Sequence, residues 1–252
     1  MRIYALIGMI VYFFFGLKEK DDIFNRAISP TVKIVSKDKE ISGTGVVFKS
    51  IKKDDNLYYN IILSCEHIIG KKVSVAEYKY QEKNYCNEEV GHPAAIIGKD
   101  EINDLSLILT ITKTPLPVAK INTDHEYKLL EQVYTIGCGL NDTPRFAEGK
   151  INGLTPSKQK LDAIRTTVPI VPGDSGGGLF NKQNEVIGIA NSIRKFPNGG
   201  VMHPVEGIST FKPINLVFKN LKKPETEFVF GKEDFPPIFC DYLWILDADF
   251  RN

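Results

Sequence analysis

The sequence predicts an all-β protein. Two observations carry that reading: short runs rich in β-branched and aromatic residues, such as LYYNIILS at 57–64 and LSLILTI at 105–111, alternate with turns built from Gly, Pro, Asn and Asp; and stretches with a helical repeat of apolar residues are few. With 252 residues, 42% hydrophobic and 25% charged, the composition is that of an ordinary globular protein, long enough for one large core or two smaller ones. Lys and Arg number 32 against 31 Asp and Glu, a net charge of +1 that gives no electrostatic footprint for nucleic acid. The Lys52-Lys53 and Lys71-Lys72 pairs read as solvated strand ends and loops.

Taken in order, residues 3–17 come first. They form an apolar run of 15 residues behind Arg2, closed by the charged 18–22. At about 1.5 Å per residue a helix of that length is short for a hydrocarbon core of roughly 30 Å, and it suits the apolar region of a signal peptide. No small-x-small cleavage site follows, which leaves an uncleaved signal anchor as the alternative. Residues 1–22 are therefore expected to be a signal peptide or membrane anchor, and the remainder extracytoplasmic, periplasmic or secreted.

The run 57–64 closes into Cys65-Glu66-His67, which puts His67 at the rim of a rigid sheet. The other histidines, His92, His125 and His203, read as surface loop positions. Asp104 ends a polar loop at the mouth of the apolar strand 105–111. Further on, Gly173-Asp174-Ser175-Gly176-Gly177 is a glycine-crowded turn; glycines beside a serine allow positive φ and leave backbone N–H groups to hold an oxyanion. A serine hydroxyl is a weak nucleophile at neutral pH and needs a histidine base oriented by a carboxylate. His67, Asp104 and Ser175 supply all three. After the turn, Leu179-Phe180 and the polar 181–184 read as a hairpin, which argues against the strand-to-helix elbow of α/β-hydrolases. The cysteines Cys65, Cys86, Cys138 and Cys240 show no Cys-x-x-Cys pairing and no histidine at metal spacing, so neither a metal site nor a cofactor is expected, and Cys65 and Cys138 read as buried small residues.

With these segments in hand, the chain resembles the trypsin-like serine proteases of the chymotrypsin fold, closest in pattern to their HtrA-like branch. The order His, Asp, Ser is that fold's order. VPGDSGG at 171–177 matches the nucleophile signature, SGTGVVF at 42–48 the glycine-rich early strand, and DLSLI at 104–108 the segment carrying the acid. EVIGI at 185–189 resembles the strand after the nucleophile, GISTF at 207–211 the last strand, and 213–221 the C-terminal helix. The resemblance covers residues 28–221. It implies two antiparallel six-stranded β-barrels with a C-terminal helix, at 28–118 and 119–221, with Pro115-Leu116-Pro117 near the crossover.

It also implies a serine endopeptidase acting on protein or peptide substrates. Catalysis would fall to His67, Asp104 and Ser175, with the Gly173 and Ser175 N–H groups as oxyanion hole. Pro169 stands where trypsin carries its charged specificity aspartate. Together with Ile170 and Ile193 it implies a narrow apolar pocket and small aliphatic residues at P1, while Asn191, Ser192 and Ile193 would pair with substrate backbone. Two departures stand out. Glu66 replaces the usual small residue before the histidine, where it would tune His67 electrostatically. Asp174 lacks the Ile-Val-Gly-Gly terminus that pairs with its counterpart after zymogen cleavage, and Arg165 is a candidate internal partner. The alternative function is a catalytically latent binding or chaperone module on the same fold. The aromatic stretch 222–252 is too short for the PDZ-type peptide-binding module of HtrA-like proteases, and is expected to pack back onto the barrels.

Overall fold

A computed structural model describes residues 22–53, 56–81, 85–156, 161–198 and 201–217. The expected signal segment through residue 21, the end of the C-terminal helix and the aromatic extension lie outside the described residues. Among the described residues, no helix is long and apolar enough to cross a membrane.

The first six strands, β1 (Thr31–Ser36), β2 (Ile41–Lys52), β3 (Tyr58–Ser64), β4 (Val73–Gln81), β5 (Tyr85–Asp100) and β6 (Leu105–Thr112), close in the order β1-β2-β3-β6-β5-β4. Closure comes from β1 pairing antiparallel with β4, Ile34 opposite Val75. Within β2 the register slips between Val47 and Lys49 against β3. Such a bulge bends the strand, as a six-strand circumference requires. Gly45 serves the same compactness, since a Cβ there would strike Ile62 and Ile34.

A link through Pro115, Leu116 and Pro117 leads to β7 (Lys120–Ile121) and the second set: β8 (Gln132–Gly137), β9 (Arg145–Pro156), β10 (Leu161–Thr166), β11 (Gly178–Phe180), β12 (Glu185–Asn198) and β13 (Val201–Pro213). These run β11-β8-β9-β10-β13-β12, and the β11–β12 pairing closes the ring; β7 adds in parallel to the edge of β12. The chain thus folds into two antiparallel six-stranded barrels, as the sequence predicts. A short helix, Ile214–Val217, follows the last strand. The hairpin expected after the serine turn is β11 and β12, joined by a turn in which Asn181 Oδ1 accepts the Gln183 and Glu185 N–H groups.

Strand alternation decides where each barrel's core sits. On β11, Leu179 enters the second barrel's interior beside Val133, Ile151, Ile164 and Phe211, while Phe180 faces the other way. Phe180 stacks on Tyr134 at 5.2 Å and joins Ile136, Val186 and Ile189 in one apolar cluster with the first barrel. Fully burying such side chains contributes roughly 1.5–3 kcal/mol each, so the barrels share a core where they meet. The link is bonded to the first barrel through the Leu116 N–H to Asn60 Oδ1 (3.2 Å) and the Ala119 N–H to the Val47 carbonyl (2.8 Å). At its far end Glu185, on β12, accepts from Lys120, Asn122 and Asn181.

Two expectations about histidines need correcting. His92 lies in β5 and His203 in β13, not in loops, because β5 and β13 extend well past the apolar segments that mark them in the sequence. His92 is half-buried and bonds Glu77 at 3.1 Å; His125 bonds Glu131.

Candidate active site

His67 follows β3 on a segment pinned from both sides. Ser64 Oγ donates to the Thr44 carbonyl (2.6 Å), the Cys65 carbonyl accepts from Ser106 Oγ (3.0 Å), and the buried Cys65 thiol donates to the Ala190 carbonyl of the second barrel (2.9 Å). Burial pushes that thiol well above its usual pKa. The backbone N–H of His67 donates to Asp104 Oδ1 and its ring Nδ1 to Asp104 Oδ2, both at 2.7 Å. A proton held on Nδ1 leaves Nε2 as an acceptor, on a side chain that is 45% exposed. Glu66 faces Lys99 at 2.9 Å in an ion pair of its own.

Asp104 has φ 55°, in the left-handed region. Aspartate tolerates that conformation better than most residues. The preceding turn is tied by the buried Asp100, which accepts from the N–H and the side chain of Asn103. The outcome is a carboxylate that grips both the backbone and the ring of His67.

Ser175 comes from the second barrel. Gly173 at φ 99° and Gly176 at φ 90° give the turn its shape, closed by the Asp174 N–H to the Val171 carbonyl (3.0 Å) and the Gly177 N–H to the Asp174 carbonyl (2.9 Å). A Cβ at Gly173 would sit 2.7 Å from the Cys138 carbonyl. Thr44, wholly buried on β2, reaches across from the first barrel: its N–H donates to the Ser175 carbonyl (2.7 Å), its Oγ1 donates to the Gly173 carbonyl (2.7 Å), and Oγ1 accepts from the Cys138 N–H (2.8 Å). Both carbonyls are thereby held. Neither the Gly173 nor the Ser175 N–H donates to a described residue.

Asp174 is fully buried, and its partner is Arg145, at the start of β9, rather than Arg165. Arg145 Nη2 bonds Asp174 Oδ2, which also accepts the Val171 N–H at 2.8 Å. Arg165 is excluded by strand alternation: Ile164 and Thr166 on either side point into the barrel, so Arg165 points out and lies over Gly153. Burial raises the Asp174 pKa above its usual 3.8, opposed by the Val171 N–H and Arg145.

The residues expected to bind substrate divide. Asn191 sends its side chain to Asp104 Oδ2, a role sequence reasoning missed. Ser192 is exposed, and β12 pairs with β13 at Ser192 and Ile193 while its pairing with β11 stops at Ile189, so the other edge of this segment is open among the described residues. Ile170 is packed in the second barrel's core at 8% exposure; Pro169 is exposed, its carbonyl 3.3 Å from Arg145 Nη2. The side chain of Ile193 lies outside the described residues. As donors for a metal, the ligand atoms of Cys65, His67 and Asp104 lie within 4.8 Å of one another, but each is engaged in a hydrogen bond that a bound ion would have to displace.

Two barrels facing each other, with a histidine–aspartate pair on one and a glycine-bounded serine on the other, define the chymotrypsin fold. The trypsin-like peptidase domain matches residues 43–189, more than half of the chain, and the chain belongs to that family. A serine protease HtrA-like protein of Staphylococcus aureus (strain MRSA252) is 28% identical over 212 residues, covering 78% of this chain and 25% of the relative. The chain thus spans about a quarter of the length of the curated relatives it matches. Among solved structures, the serine endoprotease from Yersinia pestis superposes with a TM-score of 0.60 at 25% identity, over 79% of this chain and 64% of that one. Deg5 superposes with a TM-score of 0.62 at 18% identity, over 80% and 91%, a likeness of fold.

Proposed function

We propose that the chain hydrolyses peptide bonds through an acyl-enzyme, with Ser175 as nucleophile, His67 as general base and then acid, and Asp104 as the group that orients the imidazole. The observation that carries this reading is the pair of hydrogen bonds that the backbone and ring of His67 donate to Asp104. It fixes the tautomer a base needs. The carbonyl oxygen under attack would be held by the Gly173 and Ser175 N–H groups, each such donor contributing about 10²–10³ in rate in comparable sites. The acyl side of the substrate would add as a strand to the open edge of β12 at 191–193. Pro169, in place of a charged residue, and the apolar Ile170 and Ile193 favour small aliphatic residues such as Val or Ala at P1. A peptide library with a strong preference for Lys or Arg at P1 would overturn that specificity.

A second reading, a latent binding module, is favoured by one observation: among the described residues no hydrogen bond joins Ser175 Oγ to His67. Such contacts are often long in unliganded enzymes and tighten around substrate. A fluorophosphonate probe decides between the two. Labelling that disappears in Ser175→Ala supports the peptidase; an unlabelled parent protein supports the binder. Residues 3–17 are proposed to direct the chain out of the cytoplasm, as signal peptide or anchor, which mass spectrometry of the mature N-terminus after cell fractionation tests.

A further inference from the structure

The hairpin of β1 and β2 touches both the segment that carries the base and the one that carries the nucleophile. On β2, the Thr44 N–H donates to the Ser175 carbonyl (2.7 Å). In the turn that joins the two strands, the exposed Lys39 donates its Nζ to the carbonyl of His67 (3.0 Å). That turn is placed by its own bonds to the chain beyond the histidine. The Lys37 N–H donates to the Lys72 carbonyl (3.0 Å), and Asp38 accepts the Lys71 N–H on Oδ2 (2.7 Å) and the Lys72 N–H on Oδ1 (3.0 Å). These N–H groups hold the Asp38 carboxyl at about 2, below its usual 3.8, so it is a charged acceptor at neutral pH. Gly70 permits the approach, since a Cβ there would strike Asp38 and Ser36. Ile68 and Ile69 are buried in the first barrel's core. The segment after His67 is therefore fixed without Lys39, whose bond acts on the histidine's own peptide.

We infer that Lys39 is a positioning residue of the base: with Thr44 it makes the β1–β2 hairpin a gauge that sets how far the His67 imidazole stands from Ser175. The inference rests on the proposed peptidase reading of the site. The N–H and ring of His67 donate to Asp104, and among the described residues no hydrogen bond joins the ring to Ser175. A hairpin that grips one carbonyl on each side supplies the register that a direct bond does not. Its grip matters because a misplacement of about 1 Å can cost about a hundredfold in rate. Of the other charged groups beside the base, Asp104 holds the ring and Glu66 is paired with Lys99 at 2.9 Å. An exposed lysine adds little to stability, so its bond to this one carbonyl acts on geometry.

The test compares Lys39→Met, Lys39→Arg and, as a control for charge, Lys37→Met, all in the full chain with one fluorogenic peptide. Lys39→Met is expected to lower kcat about fivefold with KM within about twofold of the parent. Lys39→Arg keeps a donor within reach and is expected to recover most of that loss. Lys37 is exposed in the same turn, and Lys37→Met is expected to leave kcat as it is. An undiminished kcat in Lys39→Met, a loss confined to KM, or an equal loss in Lys37→Met overturns the inference. The Tm of Lys39→Met is expected within about 2 °C of the parent; a larger drop would mean that the lysine serves the fold. A readout without turnover is the proton between His67 Nδ1 and Asp104, followed as a far-downfield line in the proton NMR spectrum. That line is expected to broaden in Lys39→Met and to persist in Lys39→Arg, and an unchanged line in both overturns the inference. Failure of the peptidase reading shows separately, as cleavage that survives Ser175→Ala.

Discussion

Asn191 and His67 donate to the same oxygen of Asp104, one from each barrel. The aspartate's geometry is therefore set jointly. A hydrogen bond to a charged acceptor contributes roughly 1.5–3 kcal/mol, and part of that acts on the orientation of the imidazole. Asn191→Ala is expected to lower kcat about tenfold with KM little changed, and Asn191→Asp to lower it further, since two carboxylates would then face each other. Steady-state kinetics on one peptide checks both; a loss confined to KM would assign Asn191 to substrate binding alone.

Arg145→Met leaves Asp174 buried without its cation. Breaking a buried pair from one side costs about 3–5 kcal/mol; because Arg145 is 34% exposed, a loss of roughly 2 kcal/mol is expected in urea unfolding. The sign with pH follows from burial, which already raises the Asp174 pKa above its usual 3.8 in the folded protein. A raised carboxyl favours the fold below its unfolded pKa and ceases to do so as pH rises through the folded value. The variant's deficit is expected to shrink as pH falls toward 4, and a deficit independent of pH would show that Arg145 acts through packing.

Glu185 behaves with the opposite sign. Bonds from Lys120, Asn181 and Asn122 hold its carboxyl at about 2, below the usual 4.5. It stabilises the fold above the unfolded pKa, and that contribution is lost as pH falls through 4.5 toward 2. Glu185→Gln is expected to cost on the order of 2 kcal/mol at pH 7, with the gap to the parent closing between pH 4.5 and 2. An acid denaturation series on the two proteins measures it.

Thr44→Val keeps the shape of the side chain and removes the hydroxyl that joins the Cys138 N–H to the Gly173 carbonyl. The Gly173 peptide then loses one of its anchors. Activity is expected to fall at least tenfold while Thr44→Ser retains most of it; equal activity in the two variants would dissociate the hydroxyl from catalysis.

How much of this was legible in the sequence depended on whether the signal was local. The order of His67, Asp104 and Ser175, the glycine turn and the hairpin at 181–184 could be read because each is written in consecutive residues with strong backbone preferences. The Asp174 partner could not be read. Arg165 is the nearer of the two arginines along the chain, and what rules it out is the side of its strand on which its side chain falls; the buried Ile164 and Thr166 beside it held that information, but only once β10 was known to line a barrel. Asn191 read as a backbone partner for substrate because the family resemblance places it there, whereas its side chain acts across the barrel interface on Asp104. Thr44 read as part of a glycine-rich strand, and its three bonds to the opposite barrel follow no local pattern.

The turn carrying Ser175 is held by Thr44, 131 residues earlier, and by Ala190, just after it. During synthesis, His67 and Asp104 leave the ribosome well before the serine turn, which lacks β12 until Ala190 has been made. A chain that stops short of Ala190 therefore carries the histidine and the aspartate without the strand that holds the serine turn. Severing the link near residues 115–117 would turn one molecule into two fragments that meet at a concentration set by diffusion instead of by tether length, and their recovered activity on mixing would titrate how strongly the two barrels hold each other.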